Sequence, residues 1–297
     1  MWRHEGELLR FGFLRVSWSV RCPINCSAFL HSANHSGDFA IQDETVYVLE
    51  VNPRASRTVP FVSKATGMPL AKVATRVMWG EPLRVALAAY DKDIVTEDNG
   101  VLKPKLKGHI SVKEAVFPFN KLSGSDMILT PEMKSTGEVM GISDNFGEAY
   151  AKAQSAAKNN LPTEGKVFIS LCDLDKEFAP QIAKGLVEEG FSVIATGGTH
   201  KAISDAGIEC EKVLKISEGR PNITDAITNG EIALAFNTSD GKESSKDDGK
   251  NIRRAVLKEN VPYVTTASAA LACVESITVL KKKNGLGVKS IQEFLND

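Results

Sequence analysis

The sequence predicts an α/β protein in which a Rossmann-like parallel sheet fills the C-terminal half and a shorter α+β portion precedes it. Three observations carry this expectation. From Lys166 onward, apolar β-branched runs alternate strictly with amphipathic helical stretches, the pattern of a parallel sheet covered by helices on both faces. A polar break, KNNLPTEG, interrupts the chain and sets a boundary near residue 162. Ahead of it, TVYVLEVN alternates like a half-buried strand and ends on a carboxylate and an amide two residues apart.

Bulk properties narrow the function. A chain of 297 residues suits about two domains. Its 36 basic and 37 acidic residues balance, which removes the electrostatic support that a nucleic-acid or membrane-surface binder needs and leaves small molecules as the expected partners. Five cysteines, at 22, 26, 172, 210 and 273, are an odd and scattered set, which argues against a disulfide framework and for a reducing compartment. Cys22 and Cys26 lack a second ligand pair at zinc spacing, although His31 and His35 follow. No stretch reaches the roughly eighteen apolar residues of a membrane span.

In chain order, residues 1–38 form a segment of mixed aromatic, Arg and Ser content. It is loosely like a transit peptide, yet Glu5 and Glu7 count against that reading. FAIQ and TVYVLEV read as a hairpin around Asp43 and Glu44. PLAKVATRVMWG repeats apolar positions at helical spacing up to Gly80, and 81–110 reads as polar and irregular. SVKEAVFPF and PEMKSTGEVMG suggest strand and loop. DNFGEAYAKAQSAAKNN suggests a helix started by Ser143 or Asp144, with Phe146, Tyr150 and Ala153 on one face. After the break, KVFISLC, FSVIA, KVLKI, IALAFN and PYVTT are strands. KEFAPQIAKGLVEEG, the stretch from TGGTH to Asp205, PNITDAITNG, DDGKNIRRAVLKEN and ASAALACVESITVL are the helices between and after them.

The run Glu50 to Gly67, EVNPRASRTVPFVSKATG, holds the first candidate chemistry. On a strand, Glu50, Asn52 and Arg54 share a face. A hard divalent cation takes a carboxylate and an amide carbonyl as ligands beside phosphate oxygens and water, and Arg54 and Arg57 can neutralise a phosphoryl group. Asn-Pro alone is also an ordinary turn initiator. The full run resembles the end of the ATP-grasp domain in the carbamoyl-phosphate synthase large-subunit family. The resemblance continues through PLAKVATRVMWG, SVKEAVFPFNK, PEMKSTGEVMG and FGEAYAKAQ, covering roughly Phe39 to the end. It implies that Glu50 and Asn52 bind Mg2+ or Mn2+ bridging the phosphates of ATP. It also implies that Arg54, with Arg57 beside it, meets the reacting phosphate or carbamate.

The second candidate lies at the carboxyl ends of the later strands, where parallel sheets hold their ligands. In ATGGTH, Gly197 and Gly198 let backbone amides approach an anion at a helix start, with Thr196 and Thr199 as hydroxyl donors. A glycine pair after a strand is also a common tight turn. Lys176 follows the first strand, Lys215 sits on the third, and Asn237, Thr238 and Ser239 follow the fourth, so the set outlines a nucleotide monophosphate pocket. This half resembles the methylglyoxal-synthase-like domain that closes the same large subunit, which implies UMP or IMP as allosteric effector at these positions. Methylglyoxal synthase itself uses a Gly-Gly-Asp segment where this chain has EGRPNI, with Asp225 nearby, so regulation is the better reading than catalysis. The family's ornithine positions match Glu114, Phe117, Leu129, Tyr263 and Thr265, with Phe117 larger than the usual aliphatic residue.

The resemblance divides the chain into the segment 1–38, the C-terminal part of an ATP-grasp domain at 39–161 and the methylglyoxal-synthase-like domain at 162–297. Its register also offers Asp38 as a further metal ligand. The ATP-grasp lysines, the bicarbonate-phosphorylating half and the glutaminase small subunit lie outside this sequence, so the polypeptide alone is expected to be catalytically incomplete. Two functions stay open. One is part of an ATP-dependent ligase that phosphorylates carbamate to carbamoyl phosphate for arginine or pyrimidine synthesis, partnered by the remainder of the large subunit and a glutaminase small subunit. The other is a stand-alone nucleotide-binding regulatory module without catalysis. A homo-oligomer is compatible with either. The expected compartment is the cytoplasm, or a plastid or mitochondrion if 1–38 is a presequence.

Overall fold

The structure is a computed structural model. It describes residues 3–4, 7–8, 36–42, 45–52, 58–90, 95–98, 101–104, 108–119, 127, 135, 137–239, 246–283 and 285–296, with backbone alone for 3–4, 7–8, 36–42, 49–52, 95–98, 101–104 and 246–247. The chain divides into two compact units, Met1–Lys107 with Ile291–Asp297, and Gly108–Ser290. The polar break near residue 162 therefore falls inside the second unit.

In the first unit, β1 (Arg3–His4) pairs with β2 (Glu7–Leu8), and β3 (Ser36–Gln42) pairs antiparallel with β4 (Thr45–Asn52), the hairpin expected from the alternating pattern. Helices α1 (Val59–Thr66), α2 (Leu70–Met78) and α3 (Leu83–Ala88) follow, then the antiparallel pair β5 (Val95–Asp98) and β6 (Val101–Pro104). Pro60 in the first turn of α1 has no N–H that the helix would leave unbonded. Gly67 ends that helix at φ 73, a left-handed conformation open to glycine. Met68, Val73 and Ala86 form a small core. The segment read as irregular after Gly80 thus contains α3 and a strand pair. The six-residue LRVALA is too short to display a helical period, and the two strands are four residues each.

The second unit opens with β7 (Ile110–Val116) and β8 (Gly137–Ser143), paired antiparallel, followed by α4 (Phe146–Ala156). The cap of α4 is Asn145, whose side chain accepts from the Glu148 amide at 2.9 Å, rather than Ser143 or Asp144. Ser143 is still in β8, and its hydroxyl donates to the Glu148 carboxylate at 2.9 Å. β8 lies directly on α4, because a methyl at Gly141 would fall onto the Ala149 carbonyl and within 2.6 Å of the Ala153 nitrogen.

The rest is the predicted alternation: β9 (Lys166–Ser170), α5 (Ala179–Glu188), β10 (Ser192–Thr196), α6 (Gly197–Asp205), β11 (Glu211–Val213), α7 (Ile223–Thr228), β12 (Ile232–Asn237), α8 (Lys246–Lys258), β13 (Tyr263–Val264) and α9 (Ala267–Lys283). A final helix, α10 (Ile291–Asn296), belongs to the first unit. The five strands are all parallel in the order β11-β10-β9-β12-β13. Alternation splits their side chains between two cores. Val167, Ile169, Val193, Ala195, Leu234 and Phe236 meet α5, α6 and α9 on one face. Phe168, Ile194 and Ala235 meet Ile223 and Ile227 of α7 and Ile252 and Val256 of α8 on the other.

The third strand is shorter than KVLKI suggested. Lys215 lies beyond it at the start of a 3-10 turn, where its amide donates to the Glu218 carboxylate at 2.8 Å instead of to the sheet.

α4 packs along α9, and a buried carboxylate clasps the two. Glu148 is 2% exposed; its Oε2 accepts from Lys283 Nζ at 2.6 Å and its Oε1 from the Gly287 amide at 2.9 Å, with Lys152 Nζ at 3.2 Å. Burial pushes this carboxyl up, but the bonds from Lys283, Ser143, Lys152 and Gly287 more than offset it and hold it down at about 2. A carboxyl held below its ordinary value of 4.5 stabilises the fold above that value and loses its contribution as pH falls toward 2. Acid titration of unfolding free energy is expected to show on the order of 3 kcal/mol lost over this window, and Glu148→Gln should remove that part of the acid limb. An unchanged acid limb in the variant would show that the clasp does not carry it.

Candidate ligand-binding crevice

Because the five strands are parallel, their carboxyl ends share one edge, and the strand order reverses between β9 and β12. The chain leaves these neighbours in opposite directions, which opens a crevice between them. Threonine and serine hydroxyls shape it. Thr199, fully buried, accepts from the Leu171 amide at 2.9 Å and donates to the Leu171 carbonyl at 3.4 Å. Thr238 accepts from the Cys172 amide at 2.9 Å, and its own amide donates to the Ser170 carbonyl at 3.1 Å. The Thr196 hydroxyl bonds that of Ser170 at 2.8 Å and makes no cap to α6, which begins at Gly197. Of the hydroxyls expected to face a ligand, those of Thr199 and Thr238 thus hold the loop after β9, and that of Thr196 bonds the last residue of β9 itself.

Charge gathers at the start of α6. A methyl on Gly198 would lie 2.6 Å from Lys176 Nζ, so the ammonium sits directly over the first turn of the helix, while nothing lies within 4 Å of a methyl on Gly197. Lys176 is steered there by Asp173, whose Oδ1 accepts from it at 2.6 Å. An ammonium beside the amides of a helix N-terminus, reached through open space, suits a phosphate group. Lys215 is exposed beyond β11, and Ser239 is half-buried after β12.

Asn237, 7% exposed at the end of β12, is oriented by two donors on its Oδ1: the Tyr263 hydroxyl at 3.1 Å and Arg253 Nη1 at 3.5 Å. Its Nδ2 donates to the Ser170 carbonyl at 3.4 Å. The sequence reading did not single out Ser170, Asp173 or Arg253. Arg253 sits within α8, where only the fold shows that a buried arginine reaches the sheet edge. Cys172, half-buried in the loop, has its thiol pushed up mainly by burial, which leaves it a poor nucleophile. Asp225 accepts from the Asn222 amide at 2.9 Å in the first turn of α7, a capping role.

At the other candidate, the register sets Asp38 opposite Glu50 and Ser36 opposite Asn52, with a bulge between Asp38 and Phe39. The backbone thus gathers two acids and an amide at one end of the hairpin, a donor set that suits a hard divalent cation. Arg54, Arg57 and Leu129 lie outside the described residues. Of the ornithine positions, Phe117 stacks on Phe119 at 5.1 Å, and Glu114 accepts from Gln154 at 3.0 Å. Burial pushes the Glu114 carboxyl up, against a smaller lowering by the Ala115 amide. Among the described residues there is no group of three or more His, Cys, Asp or Glu able to hold a metal, and no helix is long and apolar enough to cross a membrane.

Comparison with known proteins agrees with both halves. The family model described as MGS-like domain matches residues 179–265, and that described as carbamoyl-phosphate synthase L chain, ATP binding domain, matches 29–86. The chain thus joins part of an ATP-binding domain to an MGS-like sheet domain. The large chain of carbamoyl phosphate synthase from Campylobacter jejuni is 56% identical over 258 residues, which are 86% of this chain and 24% of that protein. The Methanothermobacter thermautotrophicus large chain is 50% identical over 85% of this chain and 22% of its own length. In Aquifex aeolicus the large chain's C-terminal section is 49% identical over 265 residues, 87% of this chain and 49% of that section. The chain belongs to the carbamoyl phosphate synthase large-chain family and corresponds to its C-terminal part. It spans about a quarter of the full-length relatives' length.

The Gly198 geometry gives a direct test of the anion site. The obstacle to a methyl there is the far end of a flexible lysine. Gly198→Ala is therefore expected to change unfolding free energy by no more than about 0.5 kcal/mol while displacing Lys176 and weakening phosphate binding by isothermal titration. A large stability loss with unaltered phosphate affinity would contradict this placement.

Proposed function

We propose that this chain is the C-terminal part of a carbamoyl-phosphate synthase large subunit, in which the sheet-edge crevice binds a nucleotide monophosphate effector, UMP or IMP. The observation that carries this reading is Lys176 poised over the first turn of α6 at the carboxyl edge of the parallel sheet. Lys176 and the amides after Gly197 hold the phosphate, and Lys215 adds charge at the neighbouring strand end. Asn237, Thr238 and Ser239 line the β12 side, with Thr196 and Thr199 keeping the crevice in shape.

At the hairpin, Glu50 and Asn52 are the residues that would hold Mg2+ or Mn2+ with ATP, joined by Asp38 across the pair. When bound, that ion neutralises charge between the phosphates during transfer to carbamate. Arg54 and Arg57 orient the transferring phosphoryl group and screen it. The remainder of the large subunit and a glutaminase small subunit complete the enzyme. The alternative of a stand-alone nucleotide sensor draws support from the crevice being built wholly within Gly108–Ser290.

Calorimetric titration with UMP and with IMP is expected to show binding of at least one, weakened about tenfold, or about 1.4 kcal/mol, in Lys176→Ala. Equal affinity in the variant removes the pocket assignment. In a complex reconstituted with the remaining large-subunit sequence and the glutaminase, Glu50→Ala should abolish carbamate phosphorylation with effector binding intact. Full activity of that variant would leave β4 a purely structural strand, and no activity in any reconstitution would favour the sensor.

A further inference from the structure

A chain of side-chain amides crosses the second unit from its hairpin to the crevice. Gln154, 4% exposed on α4, donates from Nε2 to Glu114 Oε2 on β7 at 3.0 Å. Asn159 donates from Nδ2 to Gln154 Oε1 at 2.6 Å, and the Tyr263 backbone amide donates to Asn159 Oδ1 at 3.3 Å. The Tyr263 hydroxyl in turn donates to Asn237 at the crevice, reaching its carbonyl at 3.2 Å and its Oδ1 at 3.1 Å. From Tyr263 to Glu114 every bond donates in the same direction, so neither amide can flip without breaking two bonds, and each bond polarises the next.

The backbone is bent to make this possible. Lys158 has φ 65, in the left-handed region where glycine is easier, at the end of α4. Its amide returns to the Ser155 carbonyl at 2.9 Å and that of Asn159 to the Gln154 carbonyl at 2.9 Å. A non-glycine residue is strained there, and the turn brings Asn159 back over Gln154 while aiming its side-chain oxygen at the Tyr263 amide of β13. The consequence at the crevice is chemical. With Oδ1 of Asn237 taken by Tyr263 and Arg253, its amide can offer a ligand only the donor edge, which selects an acceptor such as a phosphate or carbonyl oxygen.

We propose that Gln154 and Asn159 are positioning residues of the crevice, fixing Tyr263 and through it the donor face of Asn237. The link to nucleotide binding rests on the function proposed above; the positioning itself does not.

The test is a double-mutant cycle on the whole chain with two readouts. Gln154→Leu is expected to weaken UMP or IMP about fivefold, with no further loss when placed on Tyr263→Phe, and the two substitutions should be likewise non-additive in denaturant unfolding. Gln154→Glu, which keeps the shape but puts an acceptor where Glu114 needs a donor, should weaken binding at least as much as Gln154→Leu. Nucleotide affinity unchanged in Gln154→Leu, or losses that simply add with Tyr263→Phe, overturns the proposal while the nucleotide reading stands. If the wild-type chain binds neither nucleotide, that reading fails instead, and the unfolding cycle decides alone: non-additivity upholds the positioning role and additivity overturns it.

Discussion

The loop that leaves the central strand β9 is the constraint on which the crevice depends. Two consecutive amides, Leu171 and Cys172, each bond a threonine hydroxyl: Thr199 from α6 on one side and Thr238 after β12 on the other. These hydroxyls replace water for backbone groups that would otherwise be buried without partners, a loss of roughly 1–3 kcal/mol each. Because one hydroxyl belongs to the β10 connection and the other to the β12 connection, the loop also ties the two sides of the switch point together. Lys176 and Asp173 then start from a fixed base, and the ammonium lands over the α6 turn without relying on its own flexible stem.

The chemistry of the edge follows from how little each residue does alone. A lysine at a surface is ordinarily a solvated charge, and a nine-residue helix offers its first-turn amides to water. Brought together by parallel register, the lysine and the first turn of α6 are the feature that carries the proposed phosphate site. At the hairpin end, an antiparallel register shifted by one bulge sets Asp38 across from Glu50.

How much of this was legible in the sequence depends on the range of the interaction. The alternation of β9 to α9 was plain, because both periods are local, and TGGT announced the start of α6 because glycine pairs carry backbone freedom that other residues lack. The family resemblance brought Lys176, Lys215 and Asn237 to one edge. What sequence could not tell was the direction of the hydroxyls, since a threonine beside a phosphate and one bonded to a neighbouring amide look alike in one dimension. Arg253 was hidden for the same reason, since it meets Asn237 only through the fold, whereas the Asp173–Lys176 pair is local and resembles any surface contact three residues apart. Short elements such as α3, β5 and β6 were lost because fewer than two turns or four alternations define no period. At Asn145 a competing bond decided the helix start, for Ser143 was already committed to Glu148.

The flanks of the parallel sheet are stubs: β11 runs for three residues and β13 for two. Open margins of a sheet are the places where a foreign strand can dock by backbone hydrogen bonds, and a longer margin gives a longer template. Here an intruding chain would find only a handful of unpaired amides before reaching helix or turn. The parallel sheet itself therefore offers little template for edge-to-edge strand addition.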